Sequence, residues 1–281
     1  MTSNEKEFLD YLNLRYKAKI TPKHTGNEIM NEYFFCNIKR EWDKVSQWVI
    51  THIIKNKDLS FEDKVRNIFL ARIHNKVETC KSLGIPKKSY TITEADIVLK
   101  QNPHAWRNQK FLTRLNREYN FEGSIWCVAN HLQVILSDEK INSCSWDTLE
   151  NSFKSWCKLL GLKEVSFIAY QLALDISYLK EFKDINSWVL IGPGAIRGIN
   201  LIYFSKEFEG VDHKQKLGER LEIDYLKYLK QLKETVDKEF YISLNLQDIE
   251  FNLCEFCKYK SIESGLTAKI RHYKKEENLK N

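Results

Sequence analysis

"SWVLIGPGAIRGINLIYF", residues 187–204, decides how this chain is read. It places three of the ten glycines and one of the four prolines in the seven positions 192–198, between two apolar runs. Side chains are missing where some partner approaches the backbone closely. Gly192, Gly194 and Gly198 spell G-x-G-x-x-x-G. A dinucleotide-binding turn needs a strand before it, a helix after it and a βαβ unit around it. The surroundings carry helical periodicity instead. No G-x-x-x-x-G-K-[S/T] loop occurs anywhere in the chain, which excludes a nucleotide kinase of that type. The better fit is a helix, a tight glycine turn and a second helix beginning near Ala195: a helix-hairpin-helix. Amides at such a helix start bind anions, so Gly192, Pro193, Gly194, Ala195 and Arg197 are expected to touch a DNA backbone. An ordinary turn between two packed helices explains the same glycines.

The rest of the chain supports a mainly α fold. Leu149, Phe153, Trp156 and Leu160 recur at steps of four, three and four, one face of a helix that Ser145 or Asp147 would cap. Similar patterns cover 42–55, 61–82, 123–136, 219–236 and 246–259. The best short strand candidate is "SYTIT", 89–93. We see no internal repeat and no composition break. The whole of 1–281 is expected to form one enzyme unit with two helical lobes around a cleft, about 1–100 and 101–281, with the seam near 83–105, where two prolines fall.

Composition narrows the class. With 43% apolar and 29% charged residues the chain has the profile of a globular protein rather than a disordered one. No apolar run approaches the roughly 20 residues that span a bilayer, and the charged N-terminus does not read as a signal peptide. A cytoplasmic monomer without a membrane partner is the expectation. Seven scattered cysteines read as free thiols in that setting. Cys254 and Cys257 form a lone C-x-x-C with no later cysteine to complete a cluster, so no metal and no cofactor are expected. The net charge of +6 suits a phosphate-rich partner. Arg107, Lys110 and Arg114, interleaved with Trp106 and Phe111, are the expected second DNA-backbone contact, although a solvated helical face reads the same way.

Several stretches resemble a known family. "FIAYQLALDISY" (167–178), "GPGAIRGI" (192–199) and "LNLQDIEFNLCEFCKY" (244–259) are similar to the helical domain of phage 5-hydroxymethyluracil DNA kinases and of the related α-glutamyl/putrescinyl-thymine pyrophosphorylases. "NIKREWDKVSQWV" (37–49) and "RNIFLARIHNKVETCKSLG" (66–84) look like the opening of that family, so the likeness spans most of the chain. Cys257 departs from the pattern, which has an acid before "KY". The group is regarded as a branch of the helix-hairpin-helix DNA glycosylase fold, and its relatives include anti-phage glycosylases of hypermodified pyrimidines. Its members differ in chemistry.

The resemblance implies that the helix after the hairpin supplies a carboxylate to the substrate nucleotide. On 246–259, Asp248, Asn252, Glu255 and Tyr259 form a polar stripe beside Ile249, Leu253 and Phe256. Asp248 and Glu255 are equal catalytic candidates and Glu250 is the third. Asp248 has a plain structural alternative, as an acid at the third helical position behind Asn245. Gln171 and Asp175 lie one turn apart in an otherwise apolar helix and, with the adjacent Tyr170, suit a base pocket or a buried structural network. Arg40 with Asp43 and Arg72 with Asn75 match the family's opening motifs and would line that site; surface ion pairing is the alternative. Lys258 is a minor candidate for a Schiff base with the sugar.

The leading expectation is a DNA glycosylase that flips a modified pyrimidine out of double-stranded DNA and excises it by carboxylate stabilisation of an oxocarbenium-like sugar, in anti-phage defence. A transferase of phage DNA hypermodification, acting on pyrophosphorylated 5-hydroxymethyluracil, is the alternative, and a DNA-binding module without chemistry is the third.

Overall fold

The computed structural model describes residues 1–22, 24–85, 136–179, 185–204 and 224–265, and their regular structure is helical, with no strand among them. In chain order the helices are α1 (Ser3–Ile20), α2 (Glu28–Glu32), α3 (Lys44–Trp48), α4 (Phe61–His74), α5 (Val77–Leu83), α6 (Asp138–Asn142), α7 (Leu149–Leu160), α8 (Phe167–Ile176), α9 (Pro193–Tyr203), α10 (Tyr225–Glu239) and α11 (Leu246–Glu263). No helix among the described residues is long and apolar enough to cross a membrane. They pack as two compact units, Met1–Arg40 with Asn186–Asn281, and Glu41–Ile185. The boundary expected near residue 100, the strand at 89–93, the helix at 123–135 and the cations Arg107, Lys110 and Arg114 lie outside the described residues.

The first unit is organised by the packing of α9 on α11. A Cβ at Gly198 would sit 2.8 Å from the Leu253 carbonyl oxygen, and one at Gly194 would run into the Cys254 thiol. This answers the question raised by the glycines: the partner that approaches their backbone is α11 of the same chain. Both glycines lie one helical turn apart on one face of α9, so removing their side chains lets two helix backbones come together. No helix leads into this turn over residues 185–192, which are turn and irregular chain. α1 closes the unit. Its Phe8 and Tyr11 rings meet Phe256 at 5.4 and 5.3 Å, and Tyr11 meets Tyr259 at 5.5 Å. Thr2 and Glu5 form a capping box at the start of α1, and Glu5 also accepts from the Tyr203 hydroxyl at the end of α9.

In the second unit the apolar face of α7 is buried as its spacing requires. Trp156 stacks on Phe69 of α4 and meets Trp146 edge-on, while Phe153 meets Tyr170 of α8. The cap of α7 is Thr148, whose hydroxyl accepts from the Asn151 amide, rather than Ser145 or Asp147. The stretch 61–82 is two helices, not one. Asn75 takes the left-handed conformation (φ 48°), which a short polar side chain tolerates, and ends α4.

Candidate functional site

The residues singled out in the sequence form two clusters, one in each unit. In the second unit, Arg72 near the end of α4 donates to Asp175 of α8 through Nε at 2.6 Å and Nη2 at 2.7 Å. Nη2 also reaches the Ser46 hydroxyl and Nη1 the Asn75 side chain, both at 3.0 Å. Burial works against the charged guanidinium, but the charge and hydrogen bonds of Asp175 outweigh it and hold Arg72 above the usual arginine range. Asp43 caps α3 by accepting the Val45 and Ser46 amides, and its carboxylate lies 3.6 Å from Arg72. Arg72 and Asp175 are almost completely buried. Asp175 is therefore committed to a bidentate ion pair rather than open to a water or a sugar. Gln171 and Tyr170 are buried on the same helix. The expected Arg72–Asn75 contact is present, inside this larger network. Arg40 and Asp43 belong to different units, and each is engaged within its own.

In the first unit the polar stripe of α11 has a partner that the sequence did not reveal. Asp248 accepts the Arg40 amide at 2.8 Å, Asn252 donates to the Ile38 carbonyl at 2.8 Å, Glu255 accepts the Cys36 amide at 3.0 Å, and Lys258 donates to the Phe34 carbonyl at 2.9 Å. Residues three or four apart on a helix thus satisfy alternate backbone groups of segment 34–40. A segment with no sheet partner must place its backbone groups somewhere, and here α11 takes them. Asp248 also accepts the Asn245 amide, completing its capping role.

Glu250 lies on the face of α11 toward α9. It accepts the Gly192 amide at 2.9 Å, and burial pushes its carboxyl up to about 7 against the opposing effect of that amide. The Gly192 amide expected to meet a DNA phosphate is thus taken by a carboxylate of the same chain, and Gly194 and Ala195 are buried under α11. Arg197, on α9, is part-exposed and gives its Nε to the Cys257 sulfur at 3.4 Å. Burial raises the Cys254 thiol to about 12 and also raises Cys257, so neither is an activated nucleophile. No group of three or more His, Cys, Asp or Glu among the described residues is arranged to hold a metal ion.

Lys258 is part-exposed and pairs with Glu255 at 2.5 Å, while its ammonium stands 4.5 Å from the centre of the Phe35 ring. Arg15 of α1 stands over the same ring at 5.0 Å. Arg15, Phe35 and Cys36 were not singled out in the sequence. The available signal was the position of Arg15 four residues after Tyr11, on the face of α1 that carries Phe8 and Tyr11.

The family model described as "5-hmdU DNA kinase, helical domain" matches residues 11–266, from the middle of α1 to the end of α11. The chain belongs to this family. A 5-hmdU DNA kinase of Bacillus phage SP10 is 24% identical over 314 aligned positions, which cover 95% of this chain and 46% of the relative. The chain thus spans about half the length of the curated relative it matches. No solved structure matches the chain. Membership of this family overturns the expectation of a glycosylase. The family and the relative are kinases by name, so hydrolysis of an N-glycosidic bond, an abasic product and extrusion of the base are withdrawn. The resemblance identifies the right group, and of the two chemistries it left open the kinase names fit the transferase alternative better than the glycosylase.

Proposed function

We propose that the chain is the DNA-engaging helical part of an enzyme that transfers a phosphoryl group to 5-hydroxymethyldeoxyuridine in DNA. The observation that carries this reading is the family match over residues 11–266. The chemistry is consistent with it. A substituent at C5 of a pyrimidine projects into the major groove, so its hydroxyl can be reached in the stacked duplex. Phosphoryl transfer then depends on holding the acceptor oxygen in line and on stabilising the charge of the transferred group. The chain has no G-x-x-x-x-G-K-[S/T] loop, so its share of the reaction is assigned to the acceptor DNA rather than to a P-loop-bound triphosphate.

Within this reading Arg197, on α9, is a phosphate contact, as are Arg107, Lys110 and Arg114 on the strength of the sequence. A helix-hairpin-helix origin of the turn before α9 belongs to the same proposal. Asp248, Asn252 and Glu255 hold segment 34–40 in place for binding, and the Arg72–Asp175 network supports the second unit. The partner is double-stranded DNA carrying the modified pyrimidine.

The test is fluorescence anisotropy with two duplexes that differ by one base, 5-hydroxymethyldeoxyuridine or thymidine, across a salt series. Tighter binding of the modified duplex with a steep loss of affinity as salt rises is expected. Digestion of the modified duplex after incubation with ATP and Mg2+ and the chain, followed by mass spectrometry, reads whether a phosphomonoester has formed. Equal, salt-insensitive binding of the two duplexes refutes the reading.

A further inference from the structure

Arg15 is about 95% buried, as its 5% relative exposure shows, and its Nε has no hydrogen-bond partner. Among the described residues no carboxylate stands within ion-pair distance of it. Its neighbours are the Phe35 ring at 5.0 Å and the Tyr11 hydroxyl, both uncharged. A buried guanidinium without an anion is costly, and the fold keeps one here. Lys258 brings a second cation to the same ring, at 4.5 Å. The single carboxylate in the group is Glu255, shared between Lys258 and the Cys36 amide. The cluster therefore carries two positive charges against one negative.

We propose that Arg15, Lys258 and the Phe35 ring that both cations approach form a subsite for a phosphate oxyanion. The planar guanidinium offers paired donors that match two phosphate oxygens, and Lys258 supplies a point charge on the same ligand. The charges converge on one place, because Glu255, Lys258 and Arg15 all act electrostatically on the Cys36 thiol. The place is open to solution: Cys36 and Phe34 are exposed. Tyr11 responds to the same pair, raised by burial and Glu255 and lowered by Arg15. Segment 34–36, fixed by Glu255 and Lys258, forms the rim. The inference rests on the proposed function only for choosing phosphate over other oxyanions. The phosphate belongs either to a DNA strand or to a free phosphate species.

Alkylation of Cys36 in the full chain, followed by peptide mass spectrometry, reads this site locally. One arm adds inorganic phosphate at matched ionic strength, and the other adds duplex DNA containing 5-hydroxymethyldeoxyuridine. Either ligand is expected to slow alkylation of Cys36 while leaving Cys144 unchanged, and Lys258→Gln and Arg15→Gln are each expected to weaken that protection roughly tenfold or more. Arg15→Lys, which keeps the charge and loses the fork, should weaken it less. Lys258→Gln changes a part-exposed residue, so the test stands even where Arg15→Gln fails to fold. Protection by phosphate alone assigns the subsite to a free phosphate species and leaves the subsite standing even if DNA binding fails. Protection by DNA assigns it to the strand. Unchanged Cys36 alkylation in both arms, with DNA still bound by anisotropy, overturns the subsite and leaves the proposed function intact. Protection that persists undiminished in Lys258→Gln and in Arg15→Gln also overturns it.

Discussion

The carboxylate of Glu250 accepts the amide hydrogen of Gly192 across the α9–α11 interface, and it does so fully buried, with a pKa lifted to about 7. A carboxyl whose folded pKa lies above its unfolded value of 4.5 holds a proton in the folded state after the unfolded chain has lost it. Stability therefore falls as pH rises from about 4.5 to about 7 and levels off above. The size of the effect is about 3 kcal/mol. Glu250→Gln keeps an acceptor for Gly192 and removes the titration, so its denaturant midpoint should lose this slope and exceed that of the parent at pH 8. Parallel pH profiles for the two proteins rule this out.

The glycines of α9 are predicted to matter for helix packing. Gly198→Ala sets a methyl 2.8 Å from the Leu253 carbonyl oxygen, where only a backbone shift gives room. A loss of about 1–3 kcal/mol is expected. Gly194→Ala collides with the Cys254 thiol, and Cys254→Ala should recover part of that loss, whereas no side-chain change at 253 removes the carbonyl that Gly198→Ala meets. Equilibrium denaturation of the single and double variants measures the coupling. Additive losses for Gly194→Ala and Cys254→Ala would show that the thiol is not the obstacle.

How legible these features were depended on the separation of the partners. The stripe Leu149, Phe153, Trp156 and Leu160 identifies α7 because a helix face needs nothing but local spacing. The break at Asn75 was missed because one left-handed residue does not disturb the apolar pattern of 61–82. The glycines of 192–198 announce a close approach, but a helix and a nucleic-acid strand leave the same signature. Asp248, Asn252 and Glu255 are visible as a polar stripe, while the segment they hold, 34–40, lies more than 200 positions earlier and shows no pattern of its own. Arg72 and Asp175 were noticed separately and found each other only in the fold. The family could be named from its stretches. Its chemistry could not, because a shared scaffold does not fix the reaction.

The Arg72–Asp175 pair should be among the most sensitive positions of the second unit. Asp175→Ala removes the bidentate partner of a buried guanidinium and leaves it only the half-exposed Asp43 carboxylate at 3.6 Å, so a loss of about 3 kcal/mol is expected. Replacing both residues, as in Arg72→Met with Asp175→Leu, should cost much less than the sum of the two single changes, since no unpaired charge remains. Thermal denaturation of the three variants decides it. A double variant no better than Asp175→Ala alone would show that Ser46, Asn75 and Asp43 need Arg72 independently of Asp175.

The clip between α11 and segment 34–40 makes a residue-by-residue prediction for amide hydrogen exchange. Asp248 and Glu255 accept amides, those of Arg40 and Cys36, whereas Asn252 and Lys258 donate to carbonyls, those of Ile38 and Phe34. Glu255→Ala should therefore speed exchange at Cys36 and leave Arg40 protected, and Asp248→Ala should do the reverse while also weakening the start of α11 through the lost Asn245 contact. Lys258→Ala removes no amide acceptor, so the Cys36 amide should stay protected as long as Glu255 keeps its place. Asn252→Ala is the sharper case. It removes the buried donor to the Ile38 carbonyl, and leaving that carbonyl unsatisfied should cost about 1–3 kcal/mol. Because Ile38 lies between the two protected amides, this change should raise exchange at both Cys36 and Arg40. Exchange confined to one amide in Asn252→Ala would mean that the segment is held at independent points rather than as one cooperative unit.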